Sequence, residues 1–167
     1  MTVDAPRFRQ VLSRFATGVT IVATRNGRVI AGMTVNAFCS VSLDPPMVLI
    51  CVDRKTNTCD LIDASGIYSV SILSEDQIAL SRCFATTNPA KYERFCDAEY
   101  FTTVTGAPIL QDCIAYLDCQ VEARYPGGDH IIFLGRVVDL GLGQNGRAGD
   151  SPLLYFRGRY ERLAGVD

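Results

Sequence analysis

Apolar positions along the chain change period several times, and each change marks an element. Near the start, Phe8, Val11, Leu12 and Phe15 recur at i, i+3, i+4 and i+7. That spacing predicts an amphipathic helix, with Asp4 as its cap and Pro6 in its first turn. At Thr17-Gly18 the period shortens, and the β-branched run VTIVATR predicts a strand. Asn26-Gly27 is a hairpin signal, and RVIAGMTV returns as the next strand. AFCSVS follows and then, after the Asp44-Pro45-Pro46 turn, MVLICVD. This last run is apolar at both parities, which predicts a central strand buried on two faces.

The middle of the chain breaks into short helices. Thr58 is a candidate cap for CDLIDAS, and Gly66 is placed to end it. IYSVSIL predicts a strand, and Ser74-Glu75-Asp76-Gln77 is a capping-box pattern opening a helix towards Phe84. Asn88-Pro89 begins a further turn or helix carrying Lys91, Tyr92 and Phe95. The last third is β again. In LDCQVEAR, Leu117, Cys119, Val121 and Ala123 fall on one face, with Asp118, Gln120, Glu122 and Arg124 on the other. Pro126-Gly127-Gly128-Asp129 predicts a turn, HIIFLGRVVDL a long returning strand, residues 141–151 a polar glycine-rich loop, and PLLYF a final strand. About six or seven strands with peripheral helices predict a mainly β chain, an antiparallel barrel whose closure removes exposed sheet edges.

Composition narrows the function. The 167 residues, without internal repeat or linker, fit one domain, and 48% hydrophobic against 20% charged residues is a globular balance. Sixteen basic and 18 acidic side chains are interspersed, which argues against a nucleic-acid binder, since phosphate backbones need a concentrated cationic face. No run approaches the ~18 apolar residues of a membrane span, and the start lacks a secretory pattern. Seven scattered cysteines without a CxxC pair, beside a single histidine, predict no metal site and reduced, mostly buried thiols of a cytoplasmic protein. A GxGxxG fingerprint, a P-loop and a serine-hydrolase elbow are all missing, and Gly141-Leu142-Gly143 is no substitute.

Five segments in order do carry a resemblance: FRQVLSRFATGVTIVAT (8–24), GMTVNAFCSVSLDPPMVLICVDRKTNT (32–58), LSRCFA (80–85), Gly128-Asp129-His130, and PLLYFRGRY (152–160). Together they resemble the flavin reductase-like domain family, the NAD(P)H-dependent reductase components of two-component flavin monooxygenases. The resemblance covers about residues 8–163 and implies an FMN-binding split β-barrel, homodimeric, with flavin near the subunit interface. It implies transfer of a hydride from NADH, or NADPH, to FMN or FAD, and delivery of diffusing reduced flavin to a separate oxygenase. The absence of an arginine pair suited to a 2′-phosphate leans towards NADH. Rival readings on the same barrel are a pyridoxamine-phosphate-oxidase-like enzyme, a ferric reductase, or a flavin- or haem-binding protein without turnover.

The resemblance also maps a site. Met33, Thr34, Val35, Asn36, Ala37 and Ser40 correspond to the backbone along the isoalloxazine and ribityl chain. Asp53, Arg54, Lys55, Thr56, Asn57 and Thr58 correspond to the loop that holds the flavin phosphate. The residues suit that role, because a helix start with hydroxyls and a nearby cation attracts phosphate. The family commonly has serine at the Thr56 position, so the hydroxyl is kept. Phe84, Ala85 and Lys91 map to the rim. His130 maps beside the flavin and nicotinamide, in a positioning rather than a base role. Pro152, Leu153, Leu154 and Tyr155 map beside the nicotinamide dinucleotide, whereas Tyr160 reads as a packing aromatic.

Overall fold

The computed structural model describes residues 3–87, 89–143 and 151–163, so Asn88 and most of the polar loop expected at 141–151 lie outside it. Helix α1 (Ala5–Leu12) leads into β1 (Thr17–Gly18), and β2 (Thr20–Asn26) turns tightly into β3 (Val29–Val35). Asn26 pairs with Val29 across that turn, where Gly27 takes φ +60°, a value that suits a residue without Cβ. Next come β4 (Phe38–Leu43), β5 (Pro46–Asp53), α2 (Asn57–Ser65) and β6 (Ile67–Ile72). A short 3₁₀ turn (Glu75–Gln77) opens α3 (Ile78–Phe84), α4 (Pro89–Arg94) runs into a second one (Phe95–Asp97), and β7 (Tyr100–Phe101) pairs with β8 (Ile109–Leu110). The long hairpin β9 (Ala115–Gly127) and β10 (His130–Leu142) precedes β11 (Leu154–Phe156) and β12 (Arg159–Glu161).

Seven strands form one antiparallel sheet in the order β3-β2-β6-β9-β10-β5-β4. Its two outer strands, β3 and β4, are joined only by Asn36 and Ala37, and the Cys51 amide donates to the Ala37 carbonyl at 3.0 Å. The sheet therefore curls until its ends meet. That is a barrel, as the sequence pattern predicts. A smaller sheet, β1-β11-β12, flanks it.

One apolar cluster fills the barrel: Val22, Val35, Val48, Ile50, Val52, Tyr68, Val70, Cys119, Phe133 and Val137, closed by Cys59 and Ile62 of α2. A second lies outside the wall, where Val19, Ile21 and Ala23 meet Leu73, Phe84, Phe95, Ile109, Leu110 and Leu153. The strand buried on two faces is thus β2, not β5. On β5 only Val48, Ile50 and Val52 are buried, on the barrel side, while Met47, Leu49 and Cys51 on the other side remain half-buried. Helix α1 is capped by Asp4 as expected, but it stops at Leu12, and no residue of it is buried among the described residues. Phe8 is 56% exposed and Phe15 74%. Asp118 also departs from simple alternation. A bulge in the β9–β10 pairing accompanies its burial, and its carboxylate accepts from Thr103 Oγ1 (2.8 Å), the Thr105 amide (2.8 Å) and the Thr105 hydroxyl. Among the described residues no helix is long and apolar enough to cross a membrane.

Inside the barrel, a Cβ added at Gly135 would sit 2.1 Å from Tyr68 Oη and 2.6 Å from Cζ. Tyr68 is fully buried and cannot swing away. Gly135→Ala should therefore cost about 1–3 kcal/mol of overpacking in chemical denaturation. Tyr68→Phe should not restore the loss, because the ring carbon still collides.

Candidate functional site

The site begins with a residue that has no side chain. A Cβ at Gly32 on β3 would lie 2.9 Å from Phe84 Cε1 and 3.0 Å from Phe95 Cε2, so glycine there lets both rings rest on the strand. The rings meet edge to face at 4.9 Å, and Tyr100 adds a second such contact to Phe95 at 5.4 Å. Thr34 Oγ1 donates to the Ser81 carbonyl at 2.6 Å, which fixes α3 against β3. Beside this seam opens a cavity of about 360 Å³.

Met33, Thr34 and Asn36 at the end of β3, Thr56 before α2, Phe84 and Ala85 at the end of α3, Lys91 of α4 and Tyr155 of β11 line the cavity. All eight were expected at the site. Val19, Thr86, Thr87, Tyr92 and Tyr160 complete the lining and were not. Thr86-Thr87 and Tyr92 directly follow expected residues, so adjacency was the available signal; for Val19 there was none. Tyr160 does more than pack. Its hydroxyl shares a 2.8 Å hydrogen bond with Ser81 Oγ, and its ring meets Tyr155 edge to face at 5.6 Å.

Lys91 is the charged residue in this lining, and only 9% of it is exposed. Its ammonium lies 5.3 Å from the Tyr92 ring centroid, and among the described residues no carboxylate forms an ion pair with it. Burial lowers its pKa from the ordinary lysine value. A cation held this way is costly until an anion joins it.

The 53–58 loop is built differently from its expectation. Thr56, not Thr58, caps α2, accepting from the Cys59 amide at 3.2 Å and donating to the Asp53 carbonyl at 2.8 Å. Thr58 is buried and turns inward, its hydroxyl donating to the Gly32 carbonyl at 3.4 Å, so it ties α2 to β3 rather than facing a ligand. Asp53 Oδ1 accepts from the Lys55 amide, and Arg54 Nε donates to the Gly128 carbonyl at 3.2 Å. Arg54, Lys55 and Asn57 are exposed beyond the cavity lining.

Other expected residues stand apart from this lining. Val35 belongs to the barrel core, and Ala37 and Ser40 are exposed where β3 passes into β4. His130 pairs with Asp53 in the sheet, and its Nδ1 donates to Asp129 Oδ1 at 2.7 Å, which holds the Asp129 carboxyl below its usual range. Leu153 is core, and Pro152 and Leu154 are half-buried neighbours, Pro152 bridging to Ser74.

The thiols depart from the all-reduced expectation. Cys59, Cys113 and Cys119 are buried free thiols, and burial pushes Cys113 up to about 11 and Cys119 to about 12. Cys83 and Cys96, however, form a disulfide. Cys96 lies in a run of three residues with positive φ, Phe95 at 51°, Cys96 at 56° and Asp97 at 54°. Each costs on the order of 1–2 kcal/mol in an L-residue, so the surroundings must enforce the run. Both cysteines line a second cavity, of about 700 Å³.

The fold and site are thus an antiparallel barrel with an aromatic seam beside a cavity that holds a buried lysine, without a carboxylate ion pair among the described residues. The chain belongs to the flavin reductase like domain family, whose model matches residues 12–164. It is 36% identical over 158 residues to the reductase subunit HsaB of a flavin-dependent monooxygenase from Rhodococcus jostii, covering 95% of this chain and 77% of that one. It is 34% identical over 156 residues to the NADH-dependent FMN reductase RutF of Agrobacterium fabrum, covering 93% and 87%. The NADH:FAD oxidoreductase SgcE6 of Streptomyces globisporus, solved with NAD and FAD fragments, superposes with a TM-score of 0.86 at 33% identity, covering 98% of this chain and 97% of that one.

Lys91 also yields a sign for stability. Its folded pKa lies below the unfolded value, so the folded state bears a penalty at neutral pH that is relieved as pH rises through the lowered pKa towards the ordinary one. Without ligand, Lys91→Met should be more stable than the native chain at pH 7. That advantage should shrink steadily by pH 10 in paired denaturation curves; a constant gap would contradict the burial account.

Proposed function

We propose that this protein is an NADH-dependent flavin reductase, a single-domain cytoplasmic enzyme that reduces FMN or FAD and releases it to a separate flavin-dependent oxygenase. The observation that carries the reading is Lys91, a buried cation that no carboxylate of the described residues pairs with, in a cavity lined by Met33, Thr34 and Asn36. A flavin fits that donor set: a phosphate for the ammonium, and a ring with carbonyl and imino groups for a polar strand edge. The relatives named for FMN reduction with NADH and for NADH:FAD oxidoreduction support the cofactors, and the monooxygenase subunit supports the partner.

The chemistry supplied by bound flavin and nicotinamide is hydride transfer, from nicotinamide C4 to flavin N5. The chain supplies placement. Lys91 and the first turn of α2, whose leading N–H groups have no intrahelical acceptor, hold the phosphate. The β3 backbone from Met33 to Asn36 would offer its polar groups to the ring, and Tyr155 and Tyr160 line the same cavity. His130, its ring fixed through Nδ1 by Asp129, orients the nicotinamide. Asp53, Arg54, Lys55 and Asn57 form the outer phosphate loop, and Pro152, Leu153 and Leu154 support Tyr155. The bare apolar side of α1, with Phe8, Val11, Leu12 and Phe15 exposed, and the half-buried face of β5 support a homodimer that closes the site.

Mixing the protein with NADH and excess FMN or FAD should give steady loss of nicotinamide absorbance; flavin binding without turnover would favour a carrier. Lys91→Met should weaken FMN binding by about 10- to 100-fold, as expected for a charged hydrogen bond worth roughly 1.5–3 kcal/mol, yet barely change riboflavin binding. Equal losses for the two ligands would remove Lys91 from the phosphate. In light scattering the particle should have twice the 18.2 kDa chain mass. A monomer with full turnover would refute the dimer.

A further inference from the structure

We propose that Cys83–Cys96 is a reversible thiol–disulfide exchange site whose oxidised form holds the 360 Å³ cavity ready for flavin. The bridge joins the last turn of α3 to the 3₁₀ turn after α4, at a sequence separation of 13. The segment it closes carries Phe84, Thr86, Lys91 and Tyr92, which line that cavity. At its far end, Phe95, Cys96 and Asp97 hold three consecutive positive φ values, a conformation the chain does not adopt unaided. Phe95 is buried against Gly32 and Phe84, so the strained run and the cavity wall share one side chain. Opening the bridge removes the one covalent tie on the run and leaves Phe95's burial, the Ala98 amide donating to the Phe95 carbonyl at 3.1 Å and the exposed Arg94–Asp97 ion pair to enforce it. When the run relaxes, Phe95 withdraws from the seam and Lys91 loses its fixed place.

Reagents can reach the bond. Both cysteines are half-buried and line the 700 Å³ cavity. Glu75 and Asp76 share that wall and repel anionic thiols, so the matching reductant is a neutral dithiol. One of its thiolates attacks a protein sulfur, forming a mixed disulfide and releasing the other cysteine as thiolate. Its second thiol then displaces the remaining cysteine. Two electrons and two protons pass to Cys83 and Cys96, and the dithiol leaves as a disulfide.

The affinity readout rests on the flavin reading above; a thiol count and a hydrogen-exchange readout do not. Air-oxidised protein, protein reduced with dithiothreitol and desalted anaerobically, and the double variant Cys83→Ser/Cys96→Ser are compared. Denatured samples should titrate five thiols when oxidised and seven when reduced, since two of the seven cysteines are bridged. If the reduced segment keeps its competent arrangement about a tenth of the time, the apparent Kd for FMN rises about tenfold. The double variant should bind as weakly, ignoring dithiothreitol, and diamide should restore the reduced native chain. Seven thiols in the oxidised sample, equal FMN affinity in both states, or a double variant that still responds would overturn the proposal. If neither state binds FMN, the flavin reading fails. Amide exchange over residues 84–97 then decides: faster exchange on reduction sustains the exchange site, and unchanged exchange refutes it.

Discussion

Everything in the site follows from the contact of Phe84 and Phe95 with the bare backbone at Gly32. A methyl group there would collide with both rings, and α3 would have to stand off from β3. The Thr34–Ser81 hydrogen bond that ties α3 to β3 could not then form at its present length, while the Thr58 hydroxyl ties α2 to the Gly32 carbonyl of the same strand. The cavity opens beside this contact, and Thr34, Phe84 and Lys91 are among its lining.

The electrostatics of the cavity depend on that packing. Lys91 is carried in by α4, which the 83–96 bridge holds against the aromatic seam. In water an ammonium needs no partner; with only 9% exposure it does. Among the described residues no carboxylate forms an ion pair with it, and the buried Asp118 is taken up by two threonines. A cavity that holds such a cation beside polar strand edges is suited, on the proposed reading, to a ligand with an anionic tail and a hydrogen-bonding ring. That fit links barrel packing to the family's chemistry.

Much of the fold was legible in the pattern of residues. The β-branched run VTIVATR marked β2, Asn26-Gly27 the hairpin into β3, IYSVSIL β6 and Gly66 the end of α2, because these depend on local chemistry. What failed depended on partners far along the chain. Whether β2 or β5 is doubly buried is decided by where the helices land, and the alternation of β9 breaks at Asp118 because Thr103 and Thr105 come to meet it. The cap of α2 fell two residues early, since Thr56 and Thr58 offer the same hydroxyl. The Cys83–Cys96 pairing follows from a left-handed turn that no spacing rule encodes. As for the site, eight expected residues converge on one cavity, but they were mapped by family resemblance and not by periodicity. Tyr160 was missed because an aromatic that lines a ligand cavity and one that packs a barrel end have the same sequence signature.

The central claim is that the buried Lys91 ammonium receives the phosphate of a flavin whose ring lies along Met33–Asn36. A crystal structure of the oxidised protein with FMN tests it most directly. The account predicts a phosphate oxygen about 2.7–2.9 Å from Lys91 Nζ, the spacing of a charge-assisted hydrogen bond, with the ring edge on the β3 backbone. A phosphate held instead by Arg54 and the Gly128 turn, or a flavin seated in the larger cavity beside Cys83 and Cys96, would contradict it.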